Sequence, residues 1–226
     1  MTASVSQGLA AAQGAHGAAV GEQRGASGSQ QATEPGFGAE ARLMIDVEAN
    51  RAAPKYGRGE LVLRALWMPG RLLFRLIPRP FFGVRRVLLR LFGARVGRQV
   101  HIYPSATIYL PWRLTIGDRA AIGEYAFVYN LGAVSIGARA TISHKAHLCA
   151  GTHDYTDPSL PLVRSTIVIE NDAWVCADAF VGAGVRIGRG AVVAARAVAV
   201  RNVDDWSVVA GNPARHVKFR RMKVEG

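Results

Sequence analysis

The sequence has little cysteine and no long apolar stretch, and both absences exclude classes of protein. Cys149 and Cys176 are the only cysteines among 226 residues, too few for the disulfide framework of a small secreted domain, so both are expected to be free thiols. No window reaches the roughly 18 uninterrupted apolar residues of a membrane-spanning helix. The N-terminus also lacks the basic and apolar stretches of a secretory signal, so we expect a cytoplasmic protein.

Basic charge is unevenly distributed along the chain, which has a net charge of +12. Residues 51–95 contain 11 basic residues and 1 acidic residue, and residues 215–226 contain 5 and 1, whereas residues 96–214 are nearly balanced with 10 and 9. A nucleic-acid-binding protein is expected to carry a basic stripe on its core. The nearly neutral centre therefore predicts no nucleic-acid partner.

The N-terminal quarter of the chain differs in composition from the rest. Residues 1–57 are rich in Ala, Gly, Gln and Ser and contain almost no aromatic residues. Such a composition buries too little apolar surface to offset the conformational entropy lost on folding. We therefore predict a disordered tail over residues 1–57.

Residues 58–95 form a basic amphipathic segment. Its arginines follow spacings of seven and four, which places each of two sets on one helical face: Arg64, Arg71 and Arg75, then Arg79, Arg86 and Arg90. The prolines at positions 69, 78 and 80 are expected to divide the segment into short helices. Two interpretations are open. The segment lies on an anionic membrane surface as a peripheral contact, or it caps the next domain and its arginines are simply solvated.

From Val96 onward the sequence repeats every six residues, and each unit opens with an aliphatic residue. A period of six suits a short strand followed by a corner and is too short for a helical repeat. The openings form five sets of three, at positions 96, 102 and 108; 116, 122 and 128; 136, 142 and 148; 169, 175 and 181; 187, 193 and 199. The repeat predicts an all-β solenoid of about five triangular coils over residues 96–203.

Insertions interrupt the repeat only after the third unit of a set. If three units make one turn of a triangular coil, all the insertions leave the same corner of the solenoid. The longest of them is the loop 152–166. The chain then ends in a basic extension over residues 204–226.

Three motifs carry a family resemblance: GTHDY from residue 151, IVIENDAWVCADAFVGAGVRIG from residue 167, and VVAGNPAR from residue 208. With these motifs the chain resembles the hexapeptide-repeat O-acetyltransferases, in particular the branch assigned to colanic-acid and related exopolysaccharide biosynthesis. The resemblance implies a left-handed parallel β-helix, a homotrimer, and acetyl-CoA as the acyl donor. It also implies a sugar or lipid-linked sugar as the acceptor, and no metal is expected.

His153 is the candidate catalytic residue, because it lies in the long insertion and matches the catalytic histidine of the resembled family. Its imidazole would act as a general base on the acceptor hydroxyl, whose oxygen then attacks the thioester. Either Asp154 or a backbone carbonyl could orient the second ring nitrogen. The candidate substrate-binding residues are Asn130, Asp154 and Tyr155. The corner register puts Asn130 one turn below His153, where it lines a pocket or merely turns the corner.

The resemblance extends to galactoside and maltose acetyltransferases, and it implies positions that contact acetyl-CoA. Ala177 and Ala195 match pantetheine-contacting positions, while Arg201, Arg215 and Lys218 match phosphate-contacting positions. The basic cluster after the GNPA motif independently suits a phosphate. Trp174 either lines the same cleft or packs against the solenoid.

Two other functions are weighed against acyl transfer. His144, His147 and His153 invite comparison with the zinc site of the γ-class carbonic anhydrases, which share the solenoid, although the spacing departs from the pattern of that family. A solenoid that binds an anionic surface without catalysis is the second alternative, and it rests on the basic flanking segments.

Overall fold

The computed structural model describes residues 45–223 of the protein, so most of the predicted disordered tail lies outside the described residues. Within the tail's predicted range, the structure contains helix α1 (Val47–Ala52). Asp46 caps this helix, because its carboxylate accepts a hydrogen bond of 2.8 Å from the amide of Ala49. The predicted boundary at residue 57 is therefore wrong. Composition alone did not indicate this short helix, because contacts with a distant part of the chain stabilise it.

Residues 58–95 form two helices, α2 (Arg58–Leu76) and α3 (Phe82–Leu91), as the amphipathic spacing predicts. The break expected at Pro69 does not occur, since Pro69 lies within α2. Pro69 removes the hydrogen bond to the carbonyl of Ala65, and both residues are exposed, so water can replace the lost donor. Among the described residues, no helix combines the length and the apolar character needed to cross a membrane.

Three parallel sheets build the solenoid, one on each side of its triangular cross-section. The first sheet contains β1 (Arg95–Val96), β4 (Leu114–Ile116), β7 (Val134–Ile136), β12 (Ile167–Ile169) and β15 (Arg186–Ile187). The second contains β2 (His101–Ile102), β5 (Ala121–Ile122), β8 (Thr141–Ile142), β13 (Trp174–Val175), β16 (Val192–Val193) and β18 (Ser207–Ala210), closed by the antiparallel strand β19 (Arg215–Phe219). The third contains β3 (Thr107–Ile108), β6 (Phe127–Tyr129), β9 (His147–Cys149), β14 (Phe180–Val181) and β17 (Val198–Ala199).

The aliphatic openings of the hexapeptides form the core, as predicted. All fifteen are buried, and the most exposed of them, Val96, is only 7% exposed. The solenoid has about six turns instead of five, because Val203 bridges Ile187 and β18 extends the second sheet. The step from Ala199 to Val203 is two residues shorter than the six-residue repeat, so the periodicity did not indicate the sixth turn. Cys149 and Cys176 are free, and burial raises the pKa of the Cys176 thiol.

The fourth residue of most hexapeptides adopts the left-handed backbone conformation. Glycine occupies this place with positive φ only at Gly184 and Gly190; the other residues with positive φ there are Gln99, Arg119, Tyr125, Arg139, Lys145, Asp172, Asp178, Arg196 and, in the sixth turn, Trp206. A residue with a side chain adopts this conformation only at a cost of order 1 kcal/mol. Hydrogen bonds between coils offset it; for example, the amide of Arg119 donates to the carbonyl of Arg98 at 2.8 Å.

Side chains of α2 and α3 cap the exposed edge of the first coil. Its outward-facing carbonyls have no preceding strand to pair with, whereas others, such as that of Arg98, accept from amides of the second coil. The fully buried Arg85 donates to the carbonyl of Ile102 at 2.7 Å. Three more side chains cap carbonyls of this coil: Trp67 that of Ile108, Arg86 that of Val100, and Arg90 those of Val96 and Gly97. The helices therefore do cap the solenoid, but these arginines are bonded to it and not merely solvated.

Arg85 also closes the C-terminal end of α2. Its guanidinium donates to the carbonyls of Ile77 at 2.8 Å, Pro78 at 3.0 Å and Arg79 at 2.6 Å. Burial lowers the pKa of Arg85, yet a guanidinium stays protonated at any pH at which the protein works. One side chain thus joins the end of α2 to the first coil of the solenoid.

We expect Arg85→Leu to destabilise the protein strongly, because it leaves four carbonyls without their donor. Each buried acceptor left unsatisfied costs about 1–3 kcal/mol, so the free energy of unfolding should fall by at least about 3 kcal/mol. Thermal and denaturant unfolding would measure the loss. The control is Arg71→Leu at an exposed position of α2, and equal stability of the two variants would contradict the cap.

Candidate active site

The long insertion is a β-hairpin that leaves the corner between the third and first sheets. Its strands β10 (Gly151–His153) and β11 (Leu162–Arg164) pair in antiparallel register, with His153 opposite Leu162. The shorter excursions after β3 and β6, the first of which forms the 3₁₀ turn Pro111–Arg113, leave the same corner. The prediction that all insertions share one corner is confirmed.

His153 lies at the end of β10, exposed, with one ring nitrogen occupied. Its Nδ1 lies 2.6 Å from the carbonyl oxygen of Leu160. Because a carbonyl can only accept, this contact assigns the proton to Nδ1 and leaves the lone pair on Nε2. The sequence left either Asp154 or a backbone carbonyl as the group that orients the imidazole, and in the structure it is a backbone carbonyl.

Asp154 holds the turn of the hairpin and does not contact the imidazole. Its Oδ1 accepts hydrogen bonds from the hydroxyl of Thr156 at 2.6 Å and from the amide of Thr156 at 2.9 Å. These bonds stabilise the carboxylate and lower the pKa of Asp154. Tyr155, the residue between Asp154 and Thr156, is 87% exposed, so its ring is open to solvent.

A carboxylate that sequence reasoning missed anchors the base of the hairpin. Glu60 of α2 accepts from three arginines: Arg164 of β11 at 3.2 Å, Arg113 of the corner turn at 3.4 Å, and Arg64 of α2 at 3.5 Å. Its side chain is only 14% exposed, so these contacts are partly shielded from water. Glu60 is the single acidic residue between positions 51 and 95, and this was the signal that could have found it.

Asn130 does not line a pocket, which corrects the expectation from the corner register. It is fully buried, its Oδ1 accepts from the amide of Leu110 at 2.9 Å, and its Nδ2 donates to the carbonyl of Leu110 at 2.6 Å. The side-chain amide thus pairs with the backbone of the preceding turn as a strand would. Asn130 has the structural role that the sequence analysis weighed as the alternative.

The predicted pantetheine contacts lie on a different corner, between the second and third sheets. Ala177 and Ala195 are stacked on successive coils, where the amide of Arg196 donates to the carbonyl of Ala177 at 2.9 Å. Trp174 is 44% exposed on the second sheet, and its Nε1–H donates to Ser143 Oγ at 2.8 Å. Within one chain the structure therefore does not bring these residues to His153.

A surface cleft of about 670 Å³ lies along the corner that carries Ala177 and Ala195, toward the N-terminal end of the solenoid. Sequence reasoning missed its polar lining, which includes Arg79, Tyr103, Glu124, Ser143 and Lys145. These residues come from the connection after α2 and from coils one to three, so no single motif marks them. Only the stacking of coils shows that they share a surface.

The predicted phosphate contacts lie at the C-terminal end of the solenoid. Arg201 is exposed at the turn after β17, and Arg215 and Lys218 are exposed on β19. Lys218 lies opposite Val208 in the second sheet. Their cationic groups are free to meet a polyanion from solvent.

The three histidines of the zinc alternative lie in three different places. His144 is at the corner with the cleft, His153 is on the hairpin, and His147 projects from the third sheet between the rings of Phe127 and Phe180, at 4.9 and 5.2 Å. Burial there lowers the pKa of His147. Across residues 45–223, no three side chains of His, Cys, Asp or Glu form a group that could hold a metal ion. The positions of these histidines do not support a zinc enzyme.

Comparison with known proteins gives sequence relatives that match most of the chain. The chain is 38% identical over 171 residues to WcaF of Escherichia coli (strain K12), which is named as an acetyltransferase of colanic acid biosynthesis; the match covers 75% of this chain and 94% of WcaF. The protein of the same name from Shigella flexneri gives the same values. No model of a protein family matches the sequence.

Solved structures share the solenoid. A hexapeptide-repeat acetyltransferase of Vibrio cholerae, VCA0836, solved with acetyl-CoA, has a TM-score of 0.67 at 22% identity over 75% of this chain and 93% of its own. A galactoside acetyltransferase solved with coenzyme A has a TM-score of 0.69 at 20% identity over 79% and 98%. The TM-scores show a common fold, and the 38% identity to WcaF spans most of both chains. The protein therefore belongs to the hexapeptide-repeat acetyltransferases.

Proposed function

We propose that the protein transfers the acetyl group of acetyl-CoA to a hydroxyl of a sugar, with His153 as the general base. The observation that carries the proposal is the hydrogen bond from His153 Nδ1 to Leu160, because it leaves a basic Nε2 exposed on the hairpin. Nε2 takes the proton from the acceptor hydroxyl while its oxygen attacks the thioester carbonyl carbon. The carbon–sulfur bond then breaks, and the imidazolium returns the proton to the departing thiolate.

A saccharide in exopolysaccharide or glycolipid biosynthesis, free or linked to a lipid, is the acceptor we propose. The name of WcaF supports a polysaccharide, and the galactoside acetyltransferase supports a sugar hydroxyl. On the same hairpin as His153, the exposed Tyr155 offers an aromatic face on which a sugar ring can pack, and Asp154 offers an ionised carboxylate to its hydroxyls.

We propose a homotrimer in which each active site is shared between two copies. Along the outward face of the third sheet, successive strands present Phe127, His147, Phe180 and Val198, a mostly apolar face that suits contact with another copy. Such contact would supply the alanine corner of one copy to the His153 hairpin of the next. Sharing accounts for the separation of the two sets of residues within one chain.

The donor is proposed to lie along the corner that carries Ala177 and Ala195, with Trp174 beside it. Small side chains at this corner leave room for the narrow pantetheine arm. The cations at the end of the solenoid, Arg215 and Lys218 together with Arg201, would meet the phosphates of the coenzyme.

We further propose that this is a cytoplasmic protein that contacts the inner face of the membrane through α2 and α3. Both helices carry apolar residues that are each more than half exposed: Leu61, Val62, Leu66, Met68, Leu72, Leu73 and Leu76 on α2, and Val84, Val87 and Leu91 on α3. Exposed arginines flank them, Arg71 and Arg75 on α2 and Arg79 after it. Apolar residues flanked by arginine suit a surface of anionic lipid.

His153→Ala should abolish most acetyl transfer and leave acetyl-CoA binding intact, because the variant loses only the base. A positioned base contributes roughly 10²- to 10⁴-fold, so kcat should fall by about that factor. Release of the coenzyme A thiol would be followed over a panel of free and lipid-linked sugars, and acetyl-CoA binding by calorimetry. Normal turnover of His153→Ala would refute the mechanism. If the parent protein releases no thiol with any sugar of the panel, the proposed acceptor class is wrong.

Mixed trimers test whether two neighbouring copies share each active site. Ala177→Trp should block the donor corner and, like His153→Ala, inactivate a uniform trimer. If neighbouring copies share each site, subunits of the two inactive variants should regain activity when they are unfolded and refolded together. A monomer by light scattering, or no recovery in verified mixed trimers, would contradict sharing.

Replacing Arg215 and Lys218 together with Ala should raise the KM for acetyl-CoA and change kcat little. Exposed ion pairs contribute about 0.2–1 kcal/mol each, so the two together predict a rise of roughly two- to thirtyfold. Arg98→Ala, at an exposed place in the first coil, is the control and should leave KM unchanged. An unaltered KM in the double variant rules out a role in phosphate binding.

Membrane contact predicts that the protein cosediments with vesicles that contain anionic lipid. Leu66→Asp combined with Leu73→Asp should weaken sedimentation, since both positions lie on the exposed face of α2 and acquire negative charge. Thr115→Asp, exposed on the first sheet, adds charge away from α2 and should have little effect. Sedimentation that is equal in all variants would disprove a contact through α2.

A further inference from the structure

The segment from Asp46 to Lys55, here called the N-terminal clasp, is bonded to the hairpin that carries His153. The amide of Asp46 donates to the carbonyl of Pro158 at 2.8 Å. Asn50 Nδ2 donates to the carbonyls of Ser159 and Leu160, both at 2.7 Å. In the opposite direction, the guanidinium of Arg164 donates to the carbonyl of Lys55. The clasp therefore holds the hairpin at its tip and at its base.

The carbonyl of Leu160 is the point at which the clasp meets the candidate base. Its oxygen accepts from Asn50 Nδ2 at 2.7 Å and from His153 Nδ1 at 2.6 Å, so one atom serves both donors. Leu160 has a φ of 46°, a left-handed conformation that a leucine does not adopt readily. Contacts hold this residue against the intrinsic preference of the backbone: its amide donates to the carbonyl of Asp157 at 2.9 Å within the turn, and its carbonyl accepts from Asn50 and His153.

Asn50 is itself held in the orientation that this contact needs. Its Oδ1 accepts from Lys55 Nζ at 2.9 Å, which leaves Nδ2 to face the hairpin and polarises the amide as a donor. The helix that carries Asn50 has six residues and none of them is buried. A helix this short does not persist alone, so its contacts with the hairpin support it in return.

We propose that Asn50 is a positioning residue for His153, acting through the carbonyl of Leu160. The inference rests on the proposed role of His153 as the base. Fixing the carbonyl fixes the tautomer and the rotation of the imidazole, so Nε2 points steadily at the acceptor hydroxyl. Displacing a reacting group by about 1 Å can cost on the order of 100-fold in rate, so a loosened carbonyl should be visible in kcat.

Asn50→Ala tests the proposal in the full-length protein. We expect kcat to fall by roughly 10- to 100-fold while the KM for acetyl-CoA stays unchanged, because the donor site is not altered. Lys55→Met keeps both donors of Asn50 and should cause a smaller loss. Glu48→Gln, an isosteric change at an exposed place on α1, should have no effect. Thermal unfolding of all variants would show that the solenoid is intact.

The tautomer of His153 gives a readout that a general loss of stability would not move. Ring ¹⁵N shifts in histidine-labelled protein, at a pH where the ring is neutral, should show a single Nδ1–H form in the parent and a mixture with Nε2–H in Asn50→Ala. An unchanged kcat, or a lower kcat with an unchanged His153 spectrum, overturns the proposal. Turnover that survives His153→Ala would instead refute the general-base mechanism, whereas the ring spectrum still reports whether Asn50 holds His153.

Discussion

Backbone hydrogen bonds between successive coils are the interaction on which the rest of this structure depends. Most strands have only two or three residues, so no strand could persist without the coils on either side. The backbone groups of each coil bond to the coils before and after it, so the outward-facing carbonyls of the first coil are left without a strand to pair with. The side chains of Arg85, Arg86 and Arg90 donate hydrogen bonds to these carbonyls. Part of the basic charge of the amphipathic segment 58–95 is thus structural, whether or not the segment contacts a membrane.

The core was predictable from sequence because the inward positions recur every six residues, and side-chain character must match burial at each of them. The left-handed fourth position was not predictable. Gln99, Arg119, Tyr125 and Asp172 share no side-chain property, and glycine is rare among them. At positions such as Arg119 and Asp172 the backbone amide donates to a carbonyl of the preceding coil, a bond that needs no particular side chain, so the conformation leaves little trace in the choice of residue. Periodicity also did not predict the sixth turn, because the step from Ala199 to Val203 is two residues shorter than the repeat.

The candidate site was predictable only in part. His153 could be found because it lies in the one long insertion and within a recognisable motif. Its partner could not, since the carbonyl of Leu160 belongs to backbone and carries no sequence signal. Asn50 lies 109 residues from Ser159 in the chain and within a stretch whose composition suggests disorder. Asn130 was placed at the correct corner, but sequence could not show that its amide turns inward to Leu110.

His153, the candidate base, is held by parts of the molecule that lie outside the coils of the solenoid. The hairpin pairs only with itself, and polar contacts from the clasp and from Glu60 fix it from outside the coils. The fifteen aliphatic openings of the core are all buried, whereas α1 buries no residue. Local opening of such a region requires far less free energy than global unfolding. The geometry of the site can therefore change, by mutation or by binding, at little cost to the stability of the fold.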